Sequence, residues 1–539
     1  MLGCKQSATR GSRRARWWRL IALLPALELL LSACGGGDHA NSSISGPVRG
    51  TLLQNPPEHV ATLSAARLLD KLGSTDSEPS VLFDLSIIAT QELLTQSGVP
   101  VCDIEIYHIQ YNTVGGANED TTSSGALMVP SGLDARCRGP RPTVLYAHGT
   151  TTRHAFNIAD LTDQQNAEGL FLAAFFASQG YVVVAPNYAG CDTSTLPYHP
   201  FLNADQQSKD MIDALSAARS ALPTIDAPLT TDSGRLFITG YSQGGYVAMA
   251  THRAMEAAGM PVTAAAPLSG PYALAAFVDA VFSGEVDGGA PVFGAFLINA
   301  YHRTYPDIYS TTADIFEAQY ATGIDSLLPT SLLRSQLYAQ GKLPQYALFS
   351  STPPDPSFAN ITPPTTPASL APVFALGFGA DNLITNSYRL RYLLDAQSNP
   401  DGGWPTSTTG VPASNPGLPL RKALKENDLR DWTPVAPVLL CGGDEDPIVF
   451  WLNTELMQGY WASHAPAAAA ISVLDLESGG SDRYSSLKQG FALAKNIIAA
   501  KAVAQGATDG GAVAVAEAYH GALVGPFCFA AAKKFFESL

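Results

Sequence analysis

Ser242 lies in the run Gly240-Tyr241-Ser242-Gln243-Gly244-Gly245. A serine hydroxyl is protonated at neutral pH, so it attacks only when a base takes its proton and an acid orients that base. Small residues at 240 and 244 let a strand turn sharply into a helix and present the serine at the strand's C-terminal edge. The backbone N–H of Gln243 then points to where negative charge would develop on an attacked carbonyl. Partners follow in the order acid, then base. The segment Gly442-Gly443-Asp444-Glu445-Asp446-Pro447-Ile448-Val449 follows an apolar run, with Asp446 the preferred acid and Asp444 the alternative from the same strand end. His520, in Ala518-Tyr519-His520-Gly521, is the expected base, on a loop ahead of a C-terminal helix, with Gly521 allowing the tight turn. The other nine histidines lack this order or placement. Upstream, Tyr146-Ala147-His148-Gly149-Thr150-Thr151 ends another apolar run. Gly149 permits close backbone approach, and the N–H of Thr150 or Thr151 is the candidate second oxyanion donor. His148 is read as ordering this loop.

These residues need a scaffold of strands ending at one edge. Apolar runs at 143–147, 181–184, 235–239, 262–266, 438–441 and 471–474 read as buried strands. Helical patterns at 211–222 and 243–258 alternate with them. The expected fold class is α/β: a mostly parallel, doubly wound sheet with both faces covered. Between Pro271 and Trp432 the alternation stops for about 160 residues rich in Pro, Thr, Ser and aromatics such as Tyr301, Tyr309, Phe349 and Trp404. A structureless loop of that length is improbable in a compact domain. The reading is a large inserted cap over 272–432, partly helical near 312–320 and 331–341, with core segments 51–271 and 433–539.

The chain has 539 residues, 46% hydrophobic and 15% charged, with a net charge of −15. Residues 1–33 hold six basic residues and one acid, which leaves the remainder at −20. So acidic a body argues against nucleic acid as a partner. No H-E-x-x-H, paired C-x-x-C, G-x-G-x-x-G or phosphate-binding glycine loop occurs, so no metal and no cofactor are expected. The sequence assigns no oligomeric state.

Residues 1–33 have the layout of a signal peptide: basic residues from 5 to 19, an apolar run from Leu20 to Leu31, then Leu31-Ser32-Ala33-Cys34. This resembles the lipobox of bacterial lipoproteins, which implies lipid attachment at Cys34. Gly35 after the cysteine, by the same analogy, implies the outer membrane. An ordinary secretory signal and, from Ser12-Arg13-Arg14, a twin-arginine signal are the alternatives. The Gly- and Ser-rich residues 34–50 read as a flexible tether. With Cys4 and Cys34 set aside, Cys102, Cys137, Cys191, Cys441 and Cys528 remain. An odd number leaves at least one free thiol. Outside the cytoplasm a disulfide is permitted, and Cys102–Cys137 is the preferred pair.

Several of these pieces resemble the bacterial and fungal secretory lipase and esterase branch of the α/β-hydrolases. They are His148-Gly149-Thr150, Ala185-Pro186-Asn187-Tyr188, Tyr198-His199-Pro200, the Ser242 run, Ser269-Gly270-Pro271-Tyr272, Asp446 and His520. They cover most of 100–275 and 433–539. Asn187 departs from the pattern, where relatives often carry Asp, and so do the roughly 45 residues between Leu474 and His520. The resemblance implies hydrolysis of small or polymeric carboxylic esters through an acyl-enzyme at Ser242, by a protein held at a membrane through Cys34. The alternatives are a peptidase or amidase of the same fold, and a catalytically silent binding lipoprotein. The aromatic insert leads to the expectation of medium-chain, aromatic or oligomeric esters.

Overall fold

The computed structural model describes residues 46–73, 98–163, 165–225, 230–361, 363–402, 410–464 and 470–539. The signal segment, Cys34 and Trp404 lie outside the described residues. Gly46–Leu539 forms one unit. The expected free tether ends earlier than residue 50. Arg49 pairs with Asp213 at 2.9 Å, and the Gly50 N–H donates to the Asn112 carbonyl.

Among the described residues nine strands build a single sheet. They are β1 (Glu58–Leu63), β2 (Asp103–Val114), β3 (Asp120–Ser131), β4 (Gly139–Ala147), β5 (Val182–Pro186), β6 (Thr230–Tyr241), β7 (Ala264–Leu268), β8 (Val438–Gly442) and β9 (Ile471–Asp475). Their spatial order is β1-β2-β3-β5-β4-β6-β7-β8-β9. The pairings β1–β2, β2–β3 and β3–β5 are antiparallel, and every later pairing is parallel. Every residue of β5, β7 and β8 is buried, as expected of short apolar strands covered on both faces. Two hydrophobic clusters lie on opposite sides of the sheet. The first holds Leu145, Ile238 and Leu440, and the second holds Val144, Phe237 and Leu439. Adjacent residues thus alternate faces along each strand.

Helix α1 (Ala65–Gly73) follows β1, and helices α2 (Ala167–Phe175), α3 (Ala204–Ala221) and α4 (Gln243–Ala257) connect the central strands. The α3 pattern was expected from 211. The helix starts seven residues earlier because the Asn203 side chain caps it, accepting the N–H of Gln206 at 3.0 Å.

The chain between β7 and β8 is helical rather than open loop. It contains α5 (Leu274–Ser283), α6 (Ala290–Thr304), α7 (Asn386–Ser398) and α8 (Pro419–Glu426), and residues 305–385, between α6 and α7, form turns and short helices. The helices expected near 312–320 and 331–341 are reduced to a turn at Thr312–Asp314 and short helices at Ala318–Ala321 and Arg334–Ala339. Buried arginines tie this region together. Arg421 on α8 pairs with Asp279 on α5 at 2.6 Å and with Asp395 on α7 at 2.9 Å. Arg389 donates to the Phe282 carbonyl and stacks over Phe349, 4.3 Å from its ring centre. Arg430 bonds both oxygens of Asp401 and both of Asp428, and all three side chains are sealed from water. After β8 come α9 (Leu452–His464), α10 (Ser485–Ala504), α11 (Ala512–Ala518) and α12 (Gly525–Phe536).

Removing one partner of a sealed ion pair leaves the others charged and unpaired, which costs about 3–5 kcal/mol. Arg430→Met is therefore expected to lower unfolding stability by about that amount in urea titrations. A loss below about 1 kcal/mol would show that the cluster contributes little.

Candidate active site

The turn from β6 into α4 holds Ser242 at φ 60° and ψ −123°, a conformation that L-residues adopt only where surrounding structure imposes it. The approach of neighbouring chains explains the flanking glycines. A Cβ on Gly240 would meet the Gly244 carbonyl oxygen at 2.3 Å, and one on Gly244 would meet the Ala147 oxygen at 1.9 Å. Both contacts are with backbone, so nothing can move aside cheaply.

His520 does not sit on a loop. It lies in a π-turn, Tyr519–Val524, that joins α11 to α12 without interruption. Such one-turn expansions recur where a helix must aim a functional side chain. The Tyr241 hydroxyl, from the elbow itself, donates to the His520 carbonyl and fixes this turn against β6. From there the His520 Nε2 accepts from the Ser242 hydroxyl at 2.8 Å, and its Nδ1–H donates to Asp446 Oδ2 at 2.7 Å. The acceptor-only carboxylate selects the tautomer with hydrogen on Nδ1.

Asp446, with no solvent exposure, receives four donors. The Ser269 hydroxyl at 2.9 Å shares Oδ2 with His520, and the N–H groups of Ile448 and Val449 reach Oδ1 at 2.9 and 3.1 Å. Asp444 is excluded from this arrangement. Its backbone N–H bonds Asp475, and burial together with Asp475 and Glu477 raises its carboxyl pKa. Ser269 had no assigned role in the sequence. Its only signal was membership of the Ser269-Gly270-Pro271-Tyr272 run.

Gln243 opens α4, so its N–H has no acceptor within the helix. Its side-chain amide donates to His199 Nε2 at 2.7 Å, while His199 Nδ1–H donates to the Ala189 carbonyl. Burial lowers the His199 pKa to about 3, which keeps the ring neutral and able to accept. On the β4 side, Thr150 lines the same cavity as Ser242 and Gln243. Thr151 does not line it, and its hydroxyl accepts from the Arg153 N–H. The Gly149 N–H is engaged by the half-buried Glu168 carboxylate at 3.0 Å, which also accepts from the Tyr146 hydroxyl. Glu168 was not singled out in the sequence, and only its position at the start of α2 could have drawn attention to it. His148 orders the loop as expected. Its ring nitrogens face the carbonyls of Gly149 and Asn187, it stacks on Tyr188, and burial lowers its pKa to about 4. Asn187 accepts from the Ile158 N–H and donates to the Ser124 hydroxyl, with Asp192 3.3 Å from its amide. A carboxylate at 187 would face Asp192, so the amide suits this chain.

Two disulfides are present among the described residues. Cys102–Cys137 is the expected pair. Cys441–Cys528 was not anticipated, and it joins the end of β8 to α12. It lies five residues before Asp446 and eight after His520, so it clamps the two elements that supply them. Cys191 is free and buried, and burial pushes its thiol up to about 12.

Ser242 opens onto a narrow, mostly apolar cavity. Its walls are mostly hydrocarbon from α5 and α6, including Leu274, Phe277, Val281, Phe293 and Leu297, closed on the β8 side by Ile448 and Val449. Among the described residues Asp287 is the one charged residue in the lining, and burial raises its pKa to about 7.

The prolyl oligopeptidase family matches residues 170–265, which span β5 to β7 and include Ser242. No curated protein matches the chain. Among solved structures, the rice cell wall degrading esterase LipA from Xanthomonas oryzae is similar at 26% identity and a TM-score of 0.59, covering 80% of this chain and 91% of that one. A ligand-bound form of the same esterase aligns at 24% identity and a TM-score of 0.62, covering 90% and 98%. A Legionella pneumophila protein at 18% identity and a TM-score of 0.59, covering 90% and 97%, shares the fold.

Two outcomes are expected. Replacing Cys441 and Cys528 together with serine should lower stability by about 2–4 kcal/mol and reduce turnover, because the clamp between β8 and α12 is lost. Full activity with an unchanged melting point would show that packing alone holds the two elements. Second, Asp287 holds its proton to about pH 7 when folded but releases it near its ordinary value, 3.8, when unfolded. Folding then binds a proton between these values, so this residue's contribution to stability falls as pH rises from about 4 to 7. The melting-point difference between Asp287→Asn and wild type should therefore move in the variant's favour over that interval and level off above it. A flat difference would refute the raised pKa.

The mostly parallel sheet, the strand-turn-helix at Ser242 and these likenesses place the chain in the α/β-hydrolase superfamily, among its serine hydrolases.

Proposed function

We propose that the protein is a serine esterase that cleaves carboxylic esters through an acyl-enzyme on Ser242. The observation that supports this best is the continuous chain of short hydrogen bonds from Asp446 through His520 to Ser242, which ends at an apolar cavity. His520 takes the Ser242 proton as the hydroxyl attacks, then returns it to the leaving alcohol. Asp446 holds the imidazole in the required tautomer and stabilises its cationic form. The N–H of Gln243 and that of Thr150, with Thr151 the alternative, stabilise the oxyanion. Water activated by His520 then releases the acid and restores Ser242.

In this reading the apolar walls receive the acyl chain, and residues 272–432 act as a cap that shapes them. Residues 1–33 direct export, and lipid on Cys34 holds the enzyme at the bacterial envelope, facing outward or into the periplasm. The similar LipA esterase degrades rice cell wall, which supports polymeric esters as a substrate class beside small ones. A second reading, amide hydrolysis, draws on the prolyl oligopeptidase match across the Ser242 segment. The same groups can attack either bond.

Wild-type protein should hydrolyse a 4-nitrophenyl ester series, and Ser242→Ala should lose roughly four to six orders of magnitude in kcat. Faster cleavage of dipeptide 4-nitroanilides than of any ester would favour the amidase. No turnover of either by folded protein would sink both readings.

A further inference from the structure

The hydrocarbon surface of the Ser242 cavity is broken by two acidic or amide groups, Asp287 and Gln243, each with one oxygen that no donor among the described residues engages. Asp287 is 6% exposed and lines the cavity. Its Oδ1 accepts the Gly289 N–H at 2.9 Å, and no residue outside this turn bonds the carboxyl. That turn needs a single oxygen, which an asparagine or serine would also supply. The second acceptor is Gln243 Oε1, in a side chain 2% exposed, and it has no hydrogen-bond partner. Among the described residues no lysine or arginine lines the cavity. The charged groups that act on Asp287 are His520 and Asp446, and burial is the larger influence. A buried carboxyl oxygen left without a donor is destabilising unless a ligand supplies one.

We propose that Asp287 is a specificity-determining residue, and that its free oxygen accepts a hydrogen bond from a hydroxyl carried on an otherwise apolar acyl chain. The cavity then prefers hydroxyacyl esters to plain ones. This rests on the cavity being the acyl site of Ser242. A hydroxyl fits better than an ammonium. It offers one proton to one acceptor, whereas an ammonium brings three donors and loses far more hydration on entering a hydrocarbon pocket.

Full-length Ser242→Ala protein, in which esters stay intact, tests this by calorimetric titration at pH 8, where the carboxyl is ionised. The ligands are methyl hexanoate, its 2- to 6-hydroxy isomers, the corresponding keto esters and the 6-ammonio ester. At least one hydroxy isomer should bind about tenfold tighter than methyl hexanoate, and that advantage should vanish when Asp287→Leu is added. Melting curves report whether the leucine variant folds. Asp287→Asn gives an independent reading. The Gly289 bond retains the amide oxygen, so the group facing the cavity changes from acceptor to donor, and preference should move toward the keto ester. The proposal is overturned if no hydroxy isomer outbinds the plain ester, if the ammonio ester binds best, or if the advantage survives both substitutions. Hydroxy preference in a wild-type protein that turns over no ester would defeat the esterase reading alone. Ester turnover without that preference would defeat this proposal alone.

Discussion

Four hydrogen-bond donors converge on the Asp446 carboxylate, at a point that water does not reach. They come from separate parts of the chain: Ser269 after β7, Ile448 and Val449 after β8, and His520 from the π-turn before α12. Displacing any one leaves a buried acceptor short of a partner, at about 1–3 kcal/mol. The geometry around Ser242 is therefore enforced by the packing of elements far apart in sequence. The Cys441–Cys528 bond acts on the same pair of elements by covalent means.

A second constraint works from the opposite side of the sheet. β4 and β6 run close enough that the Ala147 carbonyl would touch a side chain at either elbow glycine. That contact sets where Ser242 projects relative to the loop after β4. Glu168 completes the loop by holding the Gly149 N–H, which leaves the following residue, Thr150, facing the cavity. One end of the site is thus shaped by backbone approach and the other by side-chain satisfaction.

Much of this was legible in the sequence because it depends on local rules. The Ser242 turn needs small residues at fixed offsets, and apolar runs report buried parallel strands whatever their partners. The order acid-then-base located Asp446 and His520. What the sequence concealed depends on distant contacts. The π-turn at His520 looks like a loop because Gly521 suggests one, whereas helical packing on both sides carries the helix through it. Cys441 and Cys528 are 87 residues apart, and neither flank hints at the pairing. Apart from α8, the helices between β7 and β8 show only weak apolar periodicity, and buried ion pairs such as Arg421–Asp279 help to hold them together. Asp287 is an ordinary acidic residue in a Gly-rich turn until the cavity closes around it.

The π-turn also governs the phase of the last helix. One extra residue in a turn rotates everything after it by about 100° relative to a regular α-helix. Here that rotation lets a single helical rod satisfy two unrelated aims, with His520 directed toward Asp446 and Ser242 and Cys528 toward Cys441. A regular helix through the same residues would place one of them correctly and turn the other away. The length of this segment is therefore as informative as its composition. Relatives that have lost or gained one residue between the histidine and the cysteine positions would need a different means of fastening the final helix to the sheet.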